Sequence, residues 1–150
     1  MNAYDTYEVR HGNVLISDDP ASLDRGLIHR FLSEQSYWAQ RVPREVVETS
    51  IDNSLCFGIY RDGKQVGFAR AISDFATFAW LADVFIVDAQ RGRGLSKQLV
   101  EAVLAHPRLQ GLRRFMLATL DAHGLYEQFE FKPVKDVERF MEIYRPNTYK

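Results

Sequence analysis

The run Arg91-Gly92-Arg93-Gly94-Leu95-Ser96 separates an apolar stretch, Trp80 to Val87, from a helical pattern. A strand that ends in a Gly-rich loop and opens a helix points several free backbone N–H groups at one spot. Gly92 and Gly94 let the backbone approach a ligand without Cβ clashes. Arg91 and Arg93 add positive charge beside that nest of donors. The chemistry is anion binding, and the anion that fits best is a phosphate or pyrophosphate, which implies a nucleotide-like cofactor.

Two other side chains invite a chemical reading. Asp83 interrupts the otherwise apolar run WLADVFIV, and a carboxylate placed among apolar residues needs a reason. It is the first candidate for a general base; its alternative is to bond a neighbouring backbone, Arg or Tyr. Asp74 sits in a turn and reads as a turn former. His123 reads as a helical residue, facing either solvent or a cofactor. The single cysteine, Cys56, lies between Leu55 and Phe57, so it forms no internal disulfide and reads as a buried structural thiol.

These residues need a scaffold. The chain has 150 residues with 46% apolar side chains, enough for one domain, residues 1–150, with an ordinary core. Its 19 basic and 20 acidic side chains leave a net charge of -1, which speaks against a nucleic-acid partner. No apolar run reaches membrane-spanning length, so no membrane partner is expected and a cytoplasmic location is. Met1 to His11 reads as polar and loose. Val14 to Ser17 is a strand. Ser22 or Asp24 caps a helix to about Gln35, with Leu23, Leu27, Ile28, Phe31 and Leu32 at helical spacing. Pro43 opens a second helix with Val46, Val47 and Ile51 on one face. Leu55–Tyr60, Gln65–Ile72 and Phe78–Val87 form a meander, the first hairpin turning at Asp62-Gly63. Leu95, Leu99, Ala102, Val103 and His106 mark a helix that Pro107 stops. Residues 113–119 form a strand parallel to the third meander strand, because a helical crossover separates them. A short helix over 122–129 and two final strands, 131–134 and 140–144, complete the order β-α-α-β-β-β-α-β-α-β-β.

A P-loop string is absent, and a dinucleotide fingerprint fails at its third glycine, where Lys97 stands. The loop instead matches [Arg/Gln]-x-x-Gly-x-[Gly/Ala] through Arg91 and Gly94, with Ser96 as the small final residue. A second motif follows in Ala122-His123-Gly124-Leu125-Tyr126-Glu127-Gln128-Phe129-Glu130-Phe131. With these two motifs in this order, the chain resembles the GNAT superfamily of acyl-CoA-dependent N-acyltransferases. The departures are Thr119 for a frequent Asn, Glu130 for a frequent Gly, and Arg114 where some relatives carry a catalytic Glu.

The resemblance implies an α+β fold, a mixed and mostly antiparallel twisted sheet of about seven strands flanked by about four helices. It implies acetyl-CoA as the cofactor, with its pyrophosphate on Gly92, Arg93, Gly94, Leu95, Ser96 and Lys97 beside Arg91. Its pantetheine arm would pair with the main chain of Val84, Phe85 and Ile86, and Thr119 is counted with the cofactor contacts. Tyr126 matches the tyrosine that serves the departing thiolate. The expected activity is acetyl transfer to an amine of a small molecule or protein by direct attack; the alternative is a non-catalytic acyl-CoA sensor or scaffold. Tyr37, Trp38, Phe75, Phe78 and Trp80 are the candidate walls of an amine pocket built from the N-terminal helices and the last two strands. A homodimer is compatible with the family. No metal ligands are expected.

Overall fold

The computed structural model describes residues 5–149. Six strands form one sheet in the spatial order β1 to β6, equal to their chain order. They are β1 (Glu8–His11), β2 (Val14–Ser17), β3 (Leu55–Arg61), β4 (Lys64–Ser73), β5 (Phe78–Ile86) and β6 (Arg114–Leu117). All neighbours are antiparallel except β5 and β6, which run parallel. The crossover between that pair is α3 (Leu95–Leu104), as a parallel connection demands.

The meander forms for local reasons. Asp62 and Gly63 both take positive φ, 52° and 78°, which is the backbone of a two-residue hairpin turn. At the next turn Asp74 accepts from the backbone N–H of Ala76, Thr77 and Phe78 and from the Thr77 hydroxyl. The hydrogen bonds from Thr77, then Ala76 and Phe78, hold its carboxyl well below the usual range. Gly67 on β4 has no room for a Cβ, which would lie 2.5 Å from the Phe85 carbonyl oxygen on β5.

Helices cover both faces. On one face α3 sets Leu95, Leu99, Ala102 and Val103 against Phe57, Ile59, Ala69, Ala71 and Leu81. On the other, α1 (Arg25–Arg30), a π-helical turn (Phe31–Gln35) and α2 (Arg44–Asp52) set Ile28, Phe31, Leu32, Val47 and Ile51 against Cys56, Phe68 and Phe85. Asp24 caps α1, its carboxylate accepting from Leu27 N at 3.0 Å. Cys56 is buried, and burial pushes its thiol up to about 12.

Four expectations need correction. Residues 8–11 are a strand: Tyr7, next to it, donates its hydroxyl to Ala102 O on α3 at 2.9 Å and packs on His106, which fastens this edge. The loose start expected for Met1 to Tyr4 lies outside the described residues. Val46 is exposed, while Val47 and Ile51 carry the buried face of α2. His106 falls past the end of α3 and meets Asp18 at 2.8 Å. The two final strands do not form, so the sheet has six strands rather than seven. In their place the chain from 132 onward is mostly irregular, with Met141 and Ile143 almost fully exposed.

Candidate active site

β5 and β6 pair only over a short stretch, from Phe78 opposite Arg114 to Leu81 opposite Leu117. Beyond Leu81 the ladder stops, although β5 continues to Ile86. The other edge of β5 stays bonded to β4 through Phe85 and Ile86. A cleft therefore opens between the two parallel strands at their C-terminal ends. One wall of that cleft is a strand edge with no ladder partner among the described residues, the kind of edge to which an extended ligand adds.

A cavity of about 510 Å³ occupies this cleft. Val84, Phe85, Ile86, Arg91, Gly92, Gly94, Leu95 and Ser96 all line it. Arg93, Lys97 and Thr119 do not. Gly92 and Gly94 take φ of 80° and 76°, and nothing lies within 4 Å of where their Cβ atoms would be. Gly94 is the N-cap of α3, and among the described residues no side chain caps this end. The first intrahelical bond runs from Gln98 N to Gly94 O at 3.2 Å, which leaves the N–H groups of residues 94–97 before it. They converge with the helix dipole, which favours an anion. Open glycines and uncapped donors are what a diphosphate needs, so the loop fits that group.

Arg91 plays a different part from its neighbours. Its Nε donates to the Ile86 carbonyl oxygen at 3.1 Å, and its guanidinium meets Asp88 at 2.8 Å. It ties the loop back onto the end of β5, while part of it still lines the cavity.

A second cavity of about 460 Å³ adjoins the first, where Trp80 to Val84 face Leu117 to Ala122 across the split. Both cavities share Tyr37, Trp38, Val84, Asp121, Ala122 and Tyr126. Tyr126, on α4 (His123–Glu127), is buried and packs edge-on against Phe131 with ring centroids 5.8 Å apart. Burial, reinforced by Tyr37 and Asp121, pushes its phenol up to about 12, so it is a protonated donor at neutral pH.

Asp83 sits at a β-bulge. Phe68 pairs with Phe85 and Arg70 with Ala82, so Asp83 and Val84 together oppose Ala69. Asp83 has φ of 55°. The extra residue turns Asp83 away from the α3 face, where Leu81 points, onto the face of Arg70. There one carboxylate oxygen accepts from Arg70 Nε at 2.9 Å and the other from the Trp38 indole N–H at 2.8 Å. Asp83 lines the second cavity with both oxygens engaged.

The aromatic candidates divide. Tyr37, Trp38 and Trp80 line the second cavity. Phe75 lies under the Arg108 guanidinium, 3.7 Å from ring centroid to Cζ, and Phe78 at the far end of β5 lines neither cavity. The Tyr37 hydroxyl accepts from Leu120 N at 2.8 Å, and Trp38 stacks edge-on against Tyr37. These contacts hold the segment after the π-helical turn over the cleft mouth. The wall thus comes from this segment, β5 and the loop after β6, not from two final strands. His123 lines a separate cavity of about 290 Å³ behind Tyr126. Thr119 lines the second cavity and accepts from Ala122 N at 3.0 Å, shaping the start of α4. Asp121 escaped sequence reasoning, because a carboxylate in a polar loop carries no periodic or motif signal. Among the described residues no group of His, Cys, Asp and Glu is arranged to hold a metal ion.

A split parallel pair over a glycine loop, in a mixed six-stranded sheet with helices on both faces, defines the class as an α+β fold with a cleft between its two parallel strands. The chain belongs to the Acetyltransferase (GNAT) family, whose model matches residues 24–131. Its fold superimposes with a TM-score of 0.88 on a GNAT-family protein from Xanthomonas campestris pv. campestris, 56% identical, over 91% of this chain and 96% of that one. A Gibberella zeae protein named as an acetyltransferase is 32% identical over 137 residues, covering 77% of this chain and 76% of its own length. A Clostridium acetobutylicum acetyltransferase structure with acetyl-CoA shares the fold at a TM-score of 0.54 and 9% identity.

Proposed function

We propose that this acetyltransferase moves an acetyl group from acetyl-CoA to a primary amine by direct attack. The observation that carries the reading is the position of Tyr126. It lines both the cavity that ends in the glycine loop and the cavity walled by Tyr37, Trp38 and Trp80. A group at that junction meets whatever passes from one cavity to the other.

The acyl donor supplies an activated thioester. The N–H groups of residues 94–97 hold its diphosphate, with Arg91 bracing the loop. The unladdered edge of Val84 and Phe85 pairs with the amide-rich arm. Ile86 contributes less, since its carbonyl already receives Arg91. A backbone N–H on this edge meets the oxygen on which negative charge develops. Tyr126 gives its proton to the leaving sulfur. The pair of Asp83 with Arg70 and Trp38 shapes the acceptor side. Because both its oxygens are engaged, we assign Asp83 to positioning Trp38 rather than to proton transfer.

The experiment is turnover. Free thiol is expected when the protein meets acetyl-CoA and a panel of amines. Tight binding of acetyl-CoA without thiol release for any amine would favour a sensor or scaffold instead.

A further inference from the structure

Asp121 occupies the junction of the two cavities and lines both. No hydrogen bond or ion pair engages its carboxylate among the described residues, whereas Asp83 nearby has a partner on each oxygen. It shares both cavities with Tyr126, and its charge helps raise that buried phenol. The opposing walls are the rings of Tyr37, Trp38 and Trp80. The charges that line the acceptor cavity are thus Asp83, already neutralised by Arg70, and Asp121.

We propose that Asp121 binds the nitrogen of the acceptor and takes its proton as the C–N bond forms, and that the acceptors are primary amines with an apolar or aromatic body and no carboxylate. This rests on the acetyltransferase reading above. A free carboxylate attracts a cationic nitrogen, and aromatic walls attract both a cation and an apolar body. A carboxylate on the acceptor would meet Asp121 and be repelled.

The step balances. The ammonium loses one proton to water at the open mouth. The nitrogen lone pair then attacks the thioester carbon, and the carbonyl π pair moves onto oxygen. The nitrogen, now cationic, gives a proton to Asp121. The oxygen pair reforms the carbonyl, the C–S bond breaks, and its electrons leave on sulfur. Sulfur takes the Tyr126 proton, and Tyr126 recovers one from Asp121 through solvent. One proton is released per amide formed. Asp121 acts most strongly once nitrogen carries positive charge, so it favours the transition state over the neutral amine.

Both tryptophans of the chain, Trp38 and Trp80, line this cavity, so intrinsic fluorescence reports its occupation directly. The probe is phenethylamine, titrated into wild type and Asp121→Asn in the presence of coenzyme A, with phenylalanine as the carboxylate-bearing counterpart. Asp121 is exposed, so the variant is expected to fold. In the variant, phenethylamine should bind roughly ten- to a hundredfold more weakly, since a charge-assisted hydrogen bond is lost. Its kcat/KM should fall by about that factor or more, with acetyl-CoA affinity unchanged by calorimetry. Wild type should prefer phenethylamine to phenylalanine. Equal binding and equal turnover in the two proteins would overturn the role of Asp121. Wild-type turnover confined to carboxylate-bearing amines would overturn the substrate class. Absence of thiol release from wild type with every amine would remove the acetyltransferase reading, and this inference with it.

Discussion

Arg70 and Asp83 meet at 2.9 Å across the bulge between β4 and β5, with their side chains only 15% and 11% exposed. The pair also reaches outward: Arg70 donates to the Ser54 hydroxyl at 3.1 Å, and Asp83 receives the Trp38 indole at 2.8 Å. One ion pair thus links the end of α2, the sheet and the segment over the cleft. A mostly buried pair is costly to break by halves, because the remaining charge is stranded.

Asp83→Asn is therefore expected to destabilise the protein by about 2–3 kcal/mol, less than a fully enclosed pair because both side chains keep some exposure. Arg70→Met should cost a similar amount, and the double variant less than the two summed. Urea unfolding of the four proteins gives the coupling. If Asp83 served mainly as a proton acceptor, the asparagine variant would instead lose rate at unchanged stability.

Gly94→Ala separates binding from folding. Open space surrounds the position, so the cost arises from a φ of 76°, about 1–2 kcal/mol for a residue with a Cβ. The relaxed loop would re-aim the N–H groups of residues 94–97. Acetyl-CoA affinity, measured by calorimetry, should fall by tenfold or more. Unchanged affinity would show that the diphosphate is held elsewhere.

The site was legible where the chemistry is local. A glycine loop between a strand and a helix dictates its own backbone, and Gly92, Gly94, Leu95 and Ser96 do line the cleft. The meander was legible for the same reason, since Asp62-Gly63 and Asp74 write their turns into adjacent residues. What depends on distant partners was hidden. The strand at residues 8–11 exists because its edge docks through Tyr7 onto Ala102 on α3. The fate of Asp83 depends on a bulge opposite Ala69, and alternation alone would have put it with Leu81. Phe140 to Tyr144 has a strand-like composition, but a strand needs a partner edge as well as a pattern, and none pairs with it among the described residues.

Alkaline pH should destabilise the protein steeply. Burial pushes Cys56 from 9.0, and Tyr60 and Tyr126 from 10.0, each to about 12. These raised values favour the protonated, folded form. Their contribution is complete below the unfolded values, near pH 9 to 10, and is lost as pH rises through about 12. Each tyrosine amounts to roughly 3 kcal/mol at most, and Cys56 to roughly 4 kcal/mol at most. The Tyr60 hydroxyl is buried without a hydrogen-bond partner among the described residues. Tyr60→Phe should then leave neutral stability unchanged or raise it by up to about 1 kcal/mol, and should flatten the alkaline decline. Thermal unfolding across pH 7 to 12, at about one-unit steps, reads both effects; a slope identical to wild type would contradict the burial argument.

Tyr126→Phe tests the junction itself. The ring stays, so its edge-on packing against Phe131 at 5.8 Å is preserved and stability should change by less than about 1 kcal/mol. The glycine loop precedes α3, and the proposed partner of the phenol is the sulfur rather than the diphosphate, so acetyl-CoA affinity should also hold. On the proposed role, what disappears is the proton for sulfur, worth roughly a hundredfold in kcat where the chemical step limits. The wild-type phenol, held near 12, remains an acid throughout the range in which the fold is stable. Its ionisation should therefore produce no descending limb in kcat between about pH 7 and 9. A further discriminator is the leaving group. A more acidic thiol departs without help, so an acetyl aryl thioester should narrow the gap between the two proteins, whereas simple damage to packing would widen or preserve it. Full activity of the phenylalanine variant with acetyl-CoA, at unchanged affinity, would mean that solvent protonates the thiolate and that Tyr126 is only a wall.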